Sequence, residues 1–262
     1  MTAYYNEFDP YAAQWLRNLI AAGHIASGVV DERSIEDVRP SDLKGFTQCH
    51  FFAGIGVWSL ALRNAGWADD RPVWTGSCPC QPFSEAGAGA GFTDERHLWP
   101  AFFHLIEQCR PPVVFGEQVA KQLAKPWLDL VQDDVEALDY AFGAAIFPSA
   151  GVGAPHIRER LYWCAYAEQH NRGQQAEAAS SWKPQANRPS DRLGRYSSVA
   201  DWASSSIEWV ACSDGRTRPI KPSLCAVVDE YPGRVGRLRA YGNAICASQA
   251  QIFIEAAMSH QP

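Results

Sequence analysis

Residues 46–67 limit what this chain can fold into more than any other stretch. Phe46-Thr47-Gln48-Cys49-His50-Phe51-Phe52 is a β-rich run, and Ala53-Gly54-Ile55-Gly56 is a glycine turn. A helical pattern through Trp58, Leu60, Ala61, Leu62 and Ala65 then ends at Gly66. Strand, glycine turn, helix is the context that gives a Gly-x-Gly meaning. The glycines let a ligand approach the backbone, and the start of the helix offers unpaired N–H groups. The expectation is an α/β chain with a Rossmann-like sheet.

The remaining periodicity agrees with that class. Ala3-Tyr4-Tyr5 reads as a short strand. Asp9 is a suitable N-cap and Pro10 a suitable first helical residue; Ala13, Leu16, Leu19 and Ile20 repeat at helical spacing, and Gly23 is a stop. Residues 24–45 read as a charged loop with one edge strand. Val73-Trp74-Thr75 reads as the end of a buried strand. Leu98, Phe102, Leu105, Ile106 and Cys109 share a helical face, and Val113-Val114-Phe115 makes a buried strand. Trp127 to about Leu138 reads as a helix, and residues 140–147 as a strand.

The chemistry-bearing residues fall where such strands end. Thr75-Gly76-Ser77-Cys78-Pro79-Cys80-Gln81-Pro82-Phe83-Ser84 follows one of them. Pro79 and Pro82 fix φ on both sides of Cys80, so its thiol sits on a stiff loop at the carboxyl end of a strand, where open α/β sheets carry their chemistry. A thiolate is a strong nucleophile; a buried, inert cysteine in a proline-rich turn is the other reading. Glu7, after the first strand, can accept two hydrogen bonds from ribose hydroxyls, or it is a surface residue in a turn. Glu117, at the end of the 113–115 strand, can donate a proton if burial raises its pKa. Residues 85–94, rich in Gly and Ala, form a linker or a lid.

Taken together these motifs resemble the DNA cytosine-5 methyltransferase family. Pro79-Cys80-Gln81-Pro82-Phe83-Ser84 is similar to its catalytic loop, and Phe52-Ala53-Gly54-Ile55-Gly56 to its first, cofactor-binding motif. Tyr5-Asn6-Glu7-Phe8-Asp9-Pro10 is similar to the second motif, and Arg33-Ser34-Ile35-Glu36-Asp37-Val38 to the third. Glu117-Gln118-Val119 stands for Glu-Asn-Val, Pro155-His156-Ile157-Arg158-Glu159-Arg160 for Pro-Gln-x-Arg-x-Arg, and Tyr241-Gly242-Asn243-Ala244 for the last motif. Only thirteen residues separate Gly66 from Cys80, and the second and third motifs lie ahead of the first, so the resemblance implies a permuted order. In that case the strand holding Tyr4-Tyr5 lies beside the strand holding Phe51-Phe52. Three positions depart from the family: Ser34 for Asp, which bears on the adenine contact and leaves Ser34 or Asp31 to supply it, Gln118 for Asn, and His156 for Gln.

The resemblance implies that S-adenosylmethionine is held by Glu7, Ser34, Ile35, Phe52, Ala53, Gly54, Gly56 and Asn243, and that Cys80, Glu117, Arg158 and Arg160 are catalytic, with no metal. On alternate strand positions Arg158 and Arg160 share a face, and a guanidinium there can hold the cytosine carbonyl oxygen and the carboxylate; a salt bridge with Glu159 is the plainer reading. The implied substrate is double-stranded DNA, with RNA or a non-catalytic DNA-binding relative as alternatives. Residues 1–166 and 218–262 would form the catalytic and cofactor-binding domain. The polar stretch 167–217 would be a short, loop-rich target-recognition region, with Trp182, Trp202 and Trp209 as its small core.

Bulk properties narrow the setting. The 262 residues are 47% hydrophobic and 20% charged, enough for a sizeable core. Net charge is −6, but Ala154 to Ala240 holds 13 Lys+Arg against 9 Asp+Glu, a local excess that suits a polyanion. Eight cysteines without a Cys-x-x-Cys pair fit reduced thiols and neither a disulfide framework nor a zinc site. No apolar run reaches membrane-spanning length and the first residues lack a signal-peptide pattern. The expectation is a soluble, cytoplasmic monomer.

Overall fold

Strand β1, Ala3–Asn6, lies parallel between two later strands, β2 (Gly28–Asp31) and β3 (Gln48–Phe51). Tyr5 pairs with His50 and Asn6 with Phe51, so the strand of Tyr4-Tyr5 does lie beside the strand leading to Phe52. A computed structural model supplies this arrangement. It describes residues 3–78, 98–120, 124–153, 157–167, 208–211, 217–220 and 244–259, with backbone alone at 124–125, 208–211 and 217–220. The expected nucleophile Cys80, the glycine-rich stretch after it, Pro155, His156, Trp182, Trp202 and Asn243 lie outside the described residues.

The sheet continues through β4 (Val73–Gly76), β5 (Val113–Val119), β6 (Tyr140–Pro148) and β7 (Glu159–Ala167). Its seven strands run in the order β2-β1-β3-β4-β5-β7-β6. All pairings are parallel except those of β7, which is antiparallel to both β5 and β6. As expected, β2 is an edge strand. A separate antiparallel pair, β8 (Glu208–Ala211) and β9 (Thr217–Ile220), falls within the stretch expected to read DNA and runs three residues past it.

Helices cover both faces: α1 (Pro10–Ala21), α2 (Val57–Asn64), α3 (Trp99–Cys109), α4 (Ala124–Glu136) and α5 (Ala247–Ser259). Asp9 caps α1 by accepting from the backbone of Tyr11 and Ala12, with Pro10 as its first residue. Successive strand residues point to opposite faces, which divides the core. Tyr4, Phe51, Trp74, Val114 and Trp163 pack under α3 and α4. Val73, Val113, Phe115 and Tyr162 pack under α2 and α5, and Ala3 and Tyr5 pack with Leu16 of α1. Among the described residues no helix is long and apolar enough to cross a membrane.

This topology aligns the carboxyl ends of β1, β3, β4 and β5 along one edge, followed by Glu7, Phe52–Gly56, Ser77 and the Glu117 end of β5. The helices after β3 and β4 leave on opposite faces. A crevice therefore opens between these two strands, where open α/β sheets bind their ligands.

Candidate active site

On the β1–β3 side the elements meet around Glu7. Its carboxylate accepts the Gly54 N–H at 2.6 Å and the Asp9 N–H at 2.9 Å, so one side chain ties the glycine turn to the cap of α1. Burial pushes this carboxyl up, while the two backbone N–H groups hold it down. An ionised carboxylate has about four acceptor positions, so two bonds leave room for a diol. The turn itself is left-handed at Phe52 (φ 51°) and Gly54 (φ 55°). Phe52 is the unusual one, because a bulky residue rarely adopts that region; its ring packs edge-on against Phe102 of α3. A side chain at Gly54 would meet nothing within 4 Å, so its backbone faces open space. Ala53 is buried and closes the turn, its carbonyl accepting from Gly56. Phe8, next to Glu7, is 72% exposed and offers a flat apolar face there.

Of the two side chains named for the adenine contact, Asp31 is engaged within the protein and Ser34 serves as a cap. The Asp31 carboxylate accepts from Tyr4 Oη and from the guanidinium of Arg33, which holds it down at about 2 although burial opposes this. Ser34 caps the short 3-10 turn Ile35–Asp37, its hydroxyl accepting from the Glu36 backbone. Ile35 is buried in the core, so its side chain is not available at the surface.

On the β4–β5–β7 side, Glu117 and Arg160 form a pair with Arg160 Nε 2.8 Å from Glu117 Oε1. Glu117 is 8% exposed. Burial raises its carboxyl above the ordinary range; Arg160, Arg158 and a hydrogen bond from Ser77 act in the opposite direction. Burial prevails here because the charged form loses its water.

Arg158 departs from the alternating-strand expectation. It precedes β7 by one residue and its Nη2 donates to the carbonyl of Ala244 at 2.8 Å. It still faces Glu117 electrostatically, while joining the strand end to the segment that follows Asn243. Gln249 of α5 reinforces that junction by donating to the carbonyls of Phe147 and Arg158.

Gln118 shows what the longer amide does. Its Nε2 donates to the Cys78 carbonyl at 3.2 Å and its Oε1 accepts from the Val119 N–H. It thereby holds the backbone two residues before Cys80. Ser77 and Trp58 were not legible in the sequence as neighbours of the site: Trp58 Nε1 donates to Ser77 Oγ at 3.0 Å, from helix α2 to the end of β4, a contact made only in the folded chain. Among the described residues no three His, Cys, Asp or Glu side chains converge as metal ligands.

Comparison with known proteins bears on the same region. The family model described as C-5 cytosine-specific DNA methylase matches residues 68–217. The chain is 25% identical over 174 residues to the type II methyltransferase M.HhaI of Haemophilus parahaemolyticus, covering 52% of this chain and 53% of that protein. It is 33% identical over 151 residues to M.AplI of Arthrospira platensis, covering 44% of each. The chain thus spans about half the length of the curated relatives it matches. Among solved structures, the S. pombe Dnmt2 methyltransferase aligns with a TM-score of 0.43 at 13% identity, over 82% of this chain and 65% of that one.

Proposed function

The chain belongs to the C-5 cytosine-specific DNA methylase family, and on that premise we propose that it transfers a methyl group from S-adenosylmethionine to C5 of cytosine in double-stranded DNA. The observation that carries this reading is the buried Glu117–Arg160 pair at the edge where β4 runs out toward Pro79-Cys80-Gln81-Pro82.

The cofactor half fits. Glu7 has acceptor capacity for ribose hydroxyls, Gly54 presents open backbone, and the exposed ring of Phe8 can cover a purine. With the Asp31 carboxylate committed to Arg33 and Tyr4, Ser34 and the backbone of Ile35 remain for the adenine edge. Asn243 directly precedes Ala244, whose carbonyl is bonded to Arg158; this supports Asn243 as a cofactor contact. When bound, the cofactor supplies an electrophilic methyl on a sulfonium sulfur.

The protein's residues supply the rest. The target base leaves the stack, because its reactive edge is unreachable inside the duplex. The Cys80 thiolate forms a bond to C6. Glu117, whose carboxyl burial pushes toward the neutral form, donates at N3, so the electron pair pushed into the ring does not build up as unbalanced charge. Arg160 holds the carbonyl oxygen, and Arg158 braces it from the Ala244 side. C5 takes the methyl group; loss of the C5 proton to solvent, departure of Cys80 as thiolate and return of the N3 proton to Glu117 restore the ring. This chemistry calls for no metal.

The motif order supports a permuted chain. Counting β3 as the first strand, the first five strands read 3-2-1-4-5 from the sheet edge, the order of the doubly wound nucleotide-binding sheet. The family match begins at residue 68, after the glycine turn. On this reading residues 1–166 and 218–262 form the catalytic domain, residues 167–217 read the DNA, and the enzyme acts as a cytoplasmic monomer.

The test is transfer of labelled methyl from S-adenosylmethionine to double-stranded DNA, with Cys80→Ala alongside. Label at C5 of cytosine in the native protein and none in the variant is expected. Transfer to RNA alone, or no transfer despite cofactor binding, would overturn the reading.

A further inference from the structure

The β4–β5 register places a hydroxyl beside the buried carboxyl. Gly76 pairs with Gly116 in parallel strands, and Ser77 and Glu117 are the residues that directly follow this pair. From the other side, α2 directs the indole of Trp58 at Ser77, with Nε1 at 3.0 Å from Oγ. An indole nitrogen can only donate. The Ser77 oxygen therefore accepts from Trp58, and its own proton is left for the acceptor it faces, the Glu117 carboxyl. The result is a polarised chain, Trp58 to Ser77 to Glu117, that starts on the helix following the glycine turn and ends on the carboxyl.

We propose that Ser77 is a positioning residue: a hydroxyl, oriented by Trp58, that aims one proton at Glu117 and so sets the orientation of that carboxyl. The proposal rests on the role given above to Glu117. The charged and titratable groups facing Glu117 among the described residues are Arg158 and Arg160 at the start of β7 and Tyr162 further along it. The arginines favour the ionised form, as Ser77 does, whereas burial favours the neutral one. Of the favouring groups, Ser77 alone is uncharged and comes from the β4 side.

Removing the hydroxyl takes away a donor to the ionised form, so Glu117 should ionise at higher pH in Ser77→Ala, by about one pH unit. Ser77→Thr keeps the hydroxyl and should titrate like the native protein. Trp58→Phe keeps a ring but loses the donor, and should fall between. The measurement is carbon NMR of glutamate-labelled full-length protein, with the Glu117 carboxyl assigned by Glu117→Gln; it needs no turnover. The same variants are then assayed for kcat against pH. An upward shift in Ser77→Ala with none in Ser77→Thr supports the relay. An unmoved titration in Ser77→Ala, or an equal shift in Ser77→Thr, overturns it. If the titration moves while the alkaline limb of kcat stays fixed, the relay stands and the acid role of Glu117 fails.

Discussion

Glu117 carries opposite demands on stability and on chemistry. Its carboxyl ionises above the ordinary range because burial removes water from the charged form. A carboxyl whose folded-state pKa is raised contributes stability below its unfolded pKa, and that contribution is lost as pH rises through the folded value. The neutral isostere should therefore relieve the fold where the native residue is charged. Glu117→Gln is expected to raise Tm at pH 8, with a smaller gain at pH 5, while kcat falls about 10²–10⁴-fold through loss of the proposed acid. Thermal melts at the two pH values with parallel assays check this; an equal or lower Tm at both would contradict it. Ser77, Trp58 and Gln118 could not be read as partners of this group in advance. Each makes its contact through a distance in space that no local spacing encodes: Trp58 and Ser77 are 19 residues apart, Gln118 and Cys78 are 40.

At the scale of elements, β5 is built around a missing side chain. A Cβ at Gly116 would come within 2.1 Å of the Trp163 indole, which lies against the β5 backbone from β7. Gly116→Ala should therefore cost about 1–3 kcal/mol or more in stability and shift Glu117, lowering kcat as well. Gly143→Ala on β6, whose nearest outside atom would be Cys164 Sγ at 3.6 Å, should change stability by about 0.5 kcal/mol or less. Urea unfolding of both variants compares them. Elements with strong local signals were legible. Asp9-Pro10 marked the start of α1, Gly54-Ile55-Gly56 the turn before α2, and Val113-Val114-Phe115 a buried strand. The spacing of Arg158 and Arg160 was legible, whereas the place of Arg158 one residue before β7 and the turn of its guanidinium to Ala244 were not. Ile35 matches a cofactor motif by sequence, yet its apolar side chain has a better place in the core beneath α3.

For the whole molecule, the sheet depends on which strands are neighbours and not on the order in which the chain visits them. Ala3 pairs with Gln48, and Gln48 with Val73, so these three strands start along the same edge. Moving residues 3–45 to follow residue 67, with short flexible joins, asks only for new connections on that edge. The rearranged protein is expected to keep cofactor binding within about tenfold, the cost of looser loops growing slowly with their length; calorimetry with S-adenosylmethionine checks it. Loss of binding in a protein that still melts cooperatively would count against the permuted arrangement. The sheet class was legible because each strand–helix unit announces itself locally. The strand order was not, since it is set by long-range pairing; only the displaced motifs hinted at it.

Helix α2 packs its Trp58, Ala61 and Leu62 against α5, and Gln251 reaches back to the carbonyl of Asn64 across 187 residues of chain. On a ribosome adding about 5–20 residues per second, that separation is roughly 10–40 s. Throughout that interval the helix beside the glycine turn has emerged while its apolar flank has no cover. The half proposed to hold the cofactor is thus made well before the helix that completes its packing, and a nascent chain stalled before residue 247 would present that flank to chaperones.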